Sequence, residues 1–285
     1  MSRVYYAIHM QVTRRSAVRT LVAGAAGVAV GGVAYGYAYE RHAIRTVRAT
    51  LPVSGLPPAL EGFTIGLITD LHHGPFVTAE QVSEAADLVA AVAPDLVVLG
   101  GDYVTQQDVR YAGPCAEALG RVTAPHGVFA VLGNHDDELH VPAALARQRF
   151  AVLKDAATTL RIRNEPLRLA GLRFWTRRMS DIIPVLKPSA ATTILLAHDP
   201  RRLREAAALA VPAVVSGHTH GGQVVIPGWG SLAARRFPVI AGLGRLDDTR
   251  LFVSRGVGTV YVPIRLNCPP EVCILRLVGT RQERE

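Results

Sequence analysis

Ala213-Val214-Val215-Ser216-Gly217-His218-Thr219-His220-Gly221-Gly222 sets a short apolar, β-branched run directly against a pair of histidines bounded by glycine. The run reads as a strand and the polar segment after it as the loop at its end. The same junction occurs four times upstream: TIGLIT before Asp70-Leu71-His72, LVVLG before Asp102, VFAVL before Asn134-His135-Asp136, and TILLA before His198. Five strand ends thereby bring oxygen and nitrogen donors to one edge of a sheet, where open α/β sheets place their sites.

Between these junctions the pattern repeats as strand, motif loop and helix. Thr78-Ala79-Glu80-Gln81 is a capping box, followed by Val82, Ala85, Ala86, Val89 and Val92 on one helical face that ends at Pro94. A strand is expected at 95–99, a helix within 111–122, a strand at 127–132 and a helix within 141–149. From 158 to 175 the period changes to two, in TTLRIRN and PLRLAGLRF joined through Asn164-Glu165-Pro166, which reads as a β-hairpin. Strand, helix and strand resume through 192–216. QVVIP, LFVSRG and EVCILRL are then candidate antiparallel strands. Alternating units followed by hairpins fit a mixed-sheet α/β sandwich. Residues 40–60, with Pro52, Gly55, Pro57 and Pro58, read as a linker into a single domain over 61–280.

Two divalent ions held close together can clamp both oxygens of an in-line phosphoryl displacement, and they need hard carboxylates, one of them bridging, with neutral imidazoles around them. Asp70 and His72, like His218 and His220, stand at i, i+2 and can project to one side from a strand end. Gly217, Gly221 and Gly222 let the backbone approach closely around the second pair.

The ordered set of motifs, from about Phe63 to Leu277, resembles the calcineurin-like metallophosphoesterase superfamily. The resemblance implies a mixed β-sandwich flanked by helices, four layers in the order α/β/β/α, and a binuclear metal centre. It assigns the first metal to Asp70, His72, Asp102 and His220, and the second to bridging Asp102, Asn134, His198 and His218. It makes His135 the residue that protonates the leaving oxygen or stabilises the transition state, with Asp136 supporting that neighbourhood. Oxygen and nitrogen ligands of this kind admit Mn, Fe or Zn. His73, Arg236 and Arg255 are candidate substrate contacts, with His140, Arg235 and Arg265 behind them; an ordinary loop or surface role is the expectation for any one of these taken alone. Thr105 stands where phosphoprotein phosphatases carry an aspartate in GDxVDR, which disfavours a protein-phosphatase assignment.

GHTHGGQVVIPG, SRGVG and PIRLNCPPEVCILRL further resemble the membrane-associated bacterial phosphodiesterase branch of the superfamily, the YaeI- and YkuE-like proteins and a UDP-2,3-diacylglucosamine pyrophosphatase variant. That branch implies a phosphodiester or pyrophosphate substrate, small-molecule, nucleotide-sugar or lipid-linked. A broad phosphomonoesterase and a non-catalytic, metal-stabilised binding module are the alternatives, and His135 argues against the last because a purely structural site has no use for it.

A formal charge of +8 invites a nucleic-acid reading until its location is checked. The first fifty residues hold Arg3, Arg14, Arg15, Arg19, Arg41, Arg45 and Arg48 against Glu40 alone, which accounts for +6 of it. The catalytic region is close to neutral, and no nucleic-acid partner is expected.

The twenty uncharged residues TLVAGAAGVAVGGVAYGYAY between Arg19 and Glu40 are long enough to span a bilayer. Thr13-Arg14-Arg15-Ser16-Ala17-Val18 ahead of them resembles a twin-arginine export signal, which implies the twin-arginine machinery as a partner and a folded passenger. A retained signal anchor is the alternative, Gly36-Tyr37-Ala38 being a poor cleavage site. Either way residues 1–39 are an address, and the protein is expected outside the cytoplasm or at a membrane surface. Met10 opens the compact signal start MQVTRRS. Cys115, Cys268 and Cys273 have neither disulfide-framework nor zinc-ribbon spacing and read as small buried hydrophobes.

Overall fold

The computed structural model describes residues 13–231 and 236–280; Met10 and Arg235 lie outside them. The chain begins with α1 (Arg14–Ala38), then β1 (Arg45–Val53), β2 (Thr64–Ile68), α2 (Ala79–Ala90), β3 (Leu96–Leu99), α3 (Ala112–Ala118), β4 (Val128–Ala130), α4 (His140–Arg147) and β5 (Ala151–Val152). A second series follows with β6 (Ala156–Ile162), β7 (Glu165–Leu172), α5 (Met179–Leu186), β8 (Thr192–Ala197), α6 (Leu203–Ala208) and β9 (Ala213–Ser216). It closes with β10 (Gly242–Leu246), β11 (Thr249–Val253) and β12 (Glu271–Gly279). Among the described residues the strands form two six-stranded sheets, ordered β1-β12-β2-β3-β4-β5 and β10-β11-β9-β8-β7-β6.

The short strands carry almost no polar residues because each is covered on both faces. In β3, Leu96 and Val98 enter the core between the sheets, whereas Val97 and Leu99 enter the core shared with α2, α3 and α4. In β8, Ile194 and Leu196 face the inter-sheet core while Leu195 and Ala197 pack with Ile182 and Leu186 of α5 and Leu203 and Ala206 of α6. Three cores between four layers give the α/β/β/α sandwich. The capping box forms as expected: Gln81 N–H donates to Thr78 Oγ1 and Thr78 N–H to Gln81 Oε1.

The expected linker is corrected. Residues 45–53 form β1, paired in parallel with β12 from Arg45↔Glu271 to Val53↔Gly279. Leu51, Val53 and Leu60 are fully buried, and Pro52 is tolerated because β1 is an edge strand. The C-terminal strands also differ. QVVIP keeps only the bridges Val224↔Leu266 and Ile226↔Gly230. β11 is antiparallel to β10 and β12 to β2, as expected, but β11 also runs parallel to β9 and β12 to β1. Proximity in sequence suggested hairpins; long crossovers place β11 and β12 in different sheets instead.

α1 is exposed along nearly all its length, and the span Arg14–His42 is long and apolar enough to cross a membrane, with a mean hydropathy of 1.6. Its foot is fixed to the body. Gly36 is buried where a Cβ would stand 2.4 Å from the Arg265 carbonyl oxygen, and the Glu40 carboxylate accepts the N–H groups of Cys268 (2.6 Å) and Asn267 (3.1 Å).

Candidate metal centre

β2, β3 and β4 of one sheet and β8 and β9 of the other end at the same edge, and the motif residues follow directly in loops. Asp70, His72, Asp102, His218 and His220 all have left-handed backbone, with φ of 56°, 50°, 57°, 74° and 51°. Such conformations cost roughly 1–3 kcal/mol each in non-glycine residues and gather at functional sites. They replace the expected strand-like i, i+2 projection: sharp turns beyond the strand ends aim the side chains inward.

The donors converge closely. His72 Nε2 and His220 Nε2 lie 3.0 Å apart, and His220 Nε2 is 3.4 Å from Asp70 Oδ1. Asp102 Oδ2 stands between two imidazoles, 3.1 Å from His198 Nε2 and 3.4 Å from His72 Nε2. His218 joins Asp102 and His198 in a second group of donors, so Asp102 belongs to clusters on both sides. Asn134 Oδ1, His72 Nδ1 and His198 Nε2 are buried without a hydrogen-bond partner. In a native interior such orphans require explanation, and His198 Nε2, left free 3.1 Å from the Asp102 carboxylate, fits a bound cation; the His72 nitrogen that faces the cluster is Nε2 rather than Nδ1.

Burial governs the charge states. It lowers His72 to about 3 and His218 to about 4 and holds His220 well below its ordinary value, leaving all three neutral with lone pairs available. Burial, with the charge of Asp102 adding to it, raises Asp70 to about 6. His198 is the exception. Burial opposes its charged form, but Asp102, Asp70 and a 2.8 Å bond from Nδ1 to the Gly100 carbonyl together push it up to about 10. With Nδ1 donating to a carbonyl, Nε2 faces the carboxylates and must carry either a proton or a cation between itself and them.

The loops are locked in place around these groups. Asp136 Oδ2 accepts the N–H groups of Asp102 and Gly133 and Oδ1 that of Tyr103, all at 2.8 Å, so Asp136 ties two motif loops together through the backbone. His135 N–H donates to Asp102 Oδ1 at 2.8 Å, and the His135 ring accepts the Gln106 N–H at Nδ1 (3.0 Å). A backbone N–H can only donate, so the neutral His135 carries its proton on Nε2. Thr69 Oγ1 and the His218 N–H both donate to Asp70. Gly217 allows this approach: a Cβ there would stand 2.2 Å from Asp70 Oδ2. Gly217→Ala is accordingly expected to lower stability by about 1–3 kcal/mol and to weaken metal retention, read by thermal melting with and without metal.

Among the weaker candidates, His73 is buried with Nδ1 on the Val77 carbonyl (2.8 Å) and its ring edge against Tyr111, a loop-shaping position outside the donor cluster. Arg236 is exposed beside residues 232–235. Arg255 packs its stem beside Gly221, with its N–H held by Glu271. His140 pairs with Asp137 at the surface. Arg265, expected at the surface, is fully buried, its guanidinium donating to the carbonyls of Arg255, Gly256, Gly258 and Cys268. Its pattern resembles any other Arg in sequence; only the surrounding Gly and Pro hint at a packed loop.

Sequence reasoning also missed the flank of the centre. Phe174, just past the end of β7, lies 5.1 Å from the His218 ring, and Phe237 lies 5.2 Å from it on another side. Buried Asp199 holds Arg201 at 2.8 Å and Arg177 at 3.4 Å, and these two guanidinium groups stack on Phe237 and Phe174. The available signal was Asp199 itself, directly after His198 and two residues before Arg201.

Residues 63–222 match the family model described as calcineurin-like phosphoesterase, and the chain belongs to that family. It is 31% identical over 227 residues to phosphodiesterase YaeI of Escherichia coli, covering 76% of this chain and 82% of that one. It is 28% identical over 268 residues to the uncharacterized metallophosphoesterase YkuE of Bacillus subtilis, covering 90% and 94%. UDP-2,3-diacylglucosamine pyrophosphatase LpxG of Chlamydia muridarum is 24% identical over 280 residues, covering 76% and 84%. The protein is a metal-dependent phosphoesterase, with a His/Asp cluster consistent with divalent metal.

Proposed function

We propose that this enzyme hydrolyses a phosphodiester or pyrophosphate bond of a lipid-linked or nucleotide-sugar substrate, using two divalent ions, at a membrane to which its N-terminus directs it. The observation that carries the binuclear reading is Asp102, whose single carboxylate oxygen faces His72 on one side and His198 on the other. Asp70, His72, Asp102 and His220 would hold one ion, and Asp102, Asn134, His198 and His218 the other. Bound there, the ions would polarise phosphoryl oxygens and lower the pKa of a bound water. His135 offers its Nε2 proton to the leaving oxygen. Arg177 and Arg201, pinned by Asp199, supply positive charge beside His218 for a substrate's second phosphate or carboxylate. The diester and pyrophosphate assignments draw support from the names of YaeI and LpxG.

Turnover of bis(p-nitrophenyl) phosphate beside p-nitrophenyl phosphate with added Mn²⁺ tests the reading. Diester preference is expected; monoester preference would make the protein a phosphomonoesterase, and no turnover of either would leave a binding module.

The address at residues 1–39 acts through its Arg pair, so replacing Arg14 and Arg15 with Lys is expected to leave folded protein in the cytoplasm. Unchanged translocation would favour ordinary signal-anchor insertion. The docked position of Gly36 favours a helix that is retained, because cleavage after Ala38 would strip a packed element from the body. Intact-mass measurement of the membrane fraction distinguishes retained from cleaved protein.

A further inference from the structure

Beside the donor cluster lies a cavity of about 350 Å³ bordered by His218, His220, Thr219 and Gln223 and, over most of its wall, by apolar side chains such as Val224 and Phe237. At its lip three of the lining residues face outward, Tyr261 at 78% exposure, Val262 at 50% and Ile226 at 43%, and Trp229, whose N–H donates to the Ile226 carbonyl, is 72% exposed. Single exposed hydrophobics are ordinary, but a contiguous group at the mouth of an apolar cavity marks a binding surface.

The same segments form one hydrogen-bonded block with the foot of α1. Leu266 N–H donates to the Gln223 carbonyl and Val225 N–H to the Leu266 carbonyl, while the Gln223 side chain donates to the Val262 carbonyl at 2.7 Å. Arg265 N–H reaches the Gly36 carbonyl, and Glu40 holds Asn267 and Cys268. Tyr35, Tyr37 and Tyr39 are exposed at this end of the helix, the residue type that settles at the membrane interface. Cys268 Sγ in turn contacts the His220 carbonyl at 3.2 Å, so the block also touches the metal cluster.

If α1 lies in a bilayer, the lip is held close to that bilayer's surface. We propose that the lip formed by Ile226, Trp229, Tyr261 and Val262 seats in the membrane carrying α1, and that the cavity against His218 and His220 receives an acyl chain of a phosphodiester lipid entering from that leaflet. The proposal rests on the membrane-tethered reading above and deepens it. It gives the cavity one kind of occupant, an acyl chain, and an entry route that leaves the phosphate beside the donor cluster.

The test uses the full chain in phosphatidylcholine vesicles, in a His135→Ala background so that the readout is independent of turnover. With Trp175→Phe, Trp229 reports alone; brominated acyl chains are expected to quench it strongly, and a water-exposed, unquenched Trp229 in membrane-inserted protein would overturn the seating. Phosphatidylglycerol bearing a diazirine on its acyl chain is expected to label peptides at 224–230 and 260–262, and labelling confined to α1 would overturn the acyl site. In the active enzyme, kcat/KM for alkyl p-nitrophenyl phosphates is expected to rise about fourfold per added methylene until the cavity is filled. A flat series with good turnover would refute the cavity's role while leaving the phosphodiesterase reading intact. Failure of every ester, with Trp229 quenched and the lip labelled, would refute the activity and keep the lipid site.

Discussion

Asp102→Asn is expected to reduce bound metal from close to two ions per chain to below one and to lower turnover by about 10³-fold or more, the scale of losing several kcal/mol of electrostatic stabilisation. The substitution keeps the shape of the side chain and its acceptor for the His135 N–H, so the loop at 133–136 has no reason to move. What it removes is the negative charge that stands between His72 and His198. Elemental analysis and turnover on the same sample decide the matter. A fully active enzyme holding one ion or fewer would sink the binuclear model, and a variant that keeps two ions and its rate would remove Asp102 from the bridge.

The sandwich and most of the donor cluster were legible because both rest on local signals. A fully buried parallel strand must be short, apolar and β-branched, and the polar loop at its carboxyl end has to contain whatever the site uses. Asp70, Asp102, Asn134, His198, His218 and His220 could thus be placed at strand ends without any knowledge of how the sheets pack. The resemblance supplied their division into two sets, and the structure adds the position of Asp102 between them. Their backbone was not legible: five left-handed non-glycine residues in three loops reflect the closing together of two sheets, which no window of sequence encodes.

Long-range pairing accounts for two of the failures, and a folded loop that closes on its own arginine for the third. Pro52, Gly55, Pro57 and Pro58 made 40–60 look like a linker, yet β1 gains its ladder from β12, more than two hundred residues away. Arg265 looked like a surface charge because isolated arginines usually are; the carbonyls of Arg255, Gly256, Gly258 and Cys268, all within ten residues of it, satisfy it instead. Glu40 was counted only as charge, although it clamps the foot of α1 to the loop at 267–268. Arg265 and Glu40 both tie the foot of α1 to the segment at 265–268 beside His220, so the coupling between address and active site lay outside the reach of motif reading.

His135→Ala carries the second large effect, a fall in kcat of about 10²- to 10⁴-fold with both metals retained, the usual scale for lost general acid catalysis. Metal retention follows from geometry: the contact of His135 with Asp102 is made by the backbone N–H, which alanine keeps. The chemical role follows from the tautomer fixed by the Gln106 N–H, which leaves the proton on Nε2. A donated proton matters most when the leaving oxygen is a poor leaving group, so the deficit of the variant is expected to be large for alkyl esters and small for p-nitrophenyl esters, whose phenolate departs unaided. Measured across such a series, a deficit that grows with leaving-group pKa identifies His135 as the acid. An equal deficit across the series would assign it to electrostatic stabilisation of the phosphoryl oxygens, and metal lost in step with activity would make it a ligand alongside His72 and Asp102, the group in which its ring already stands.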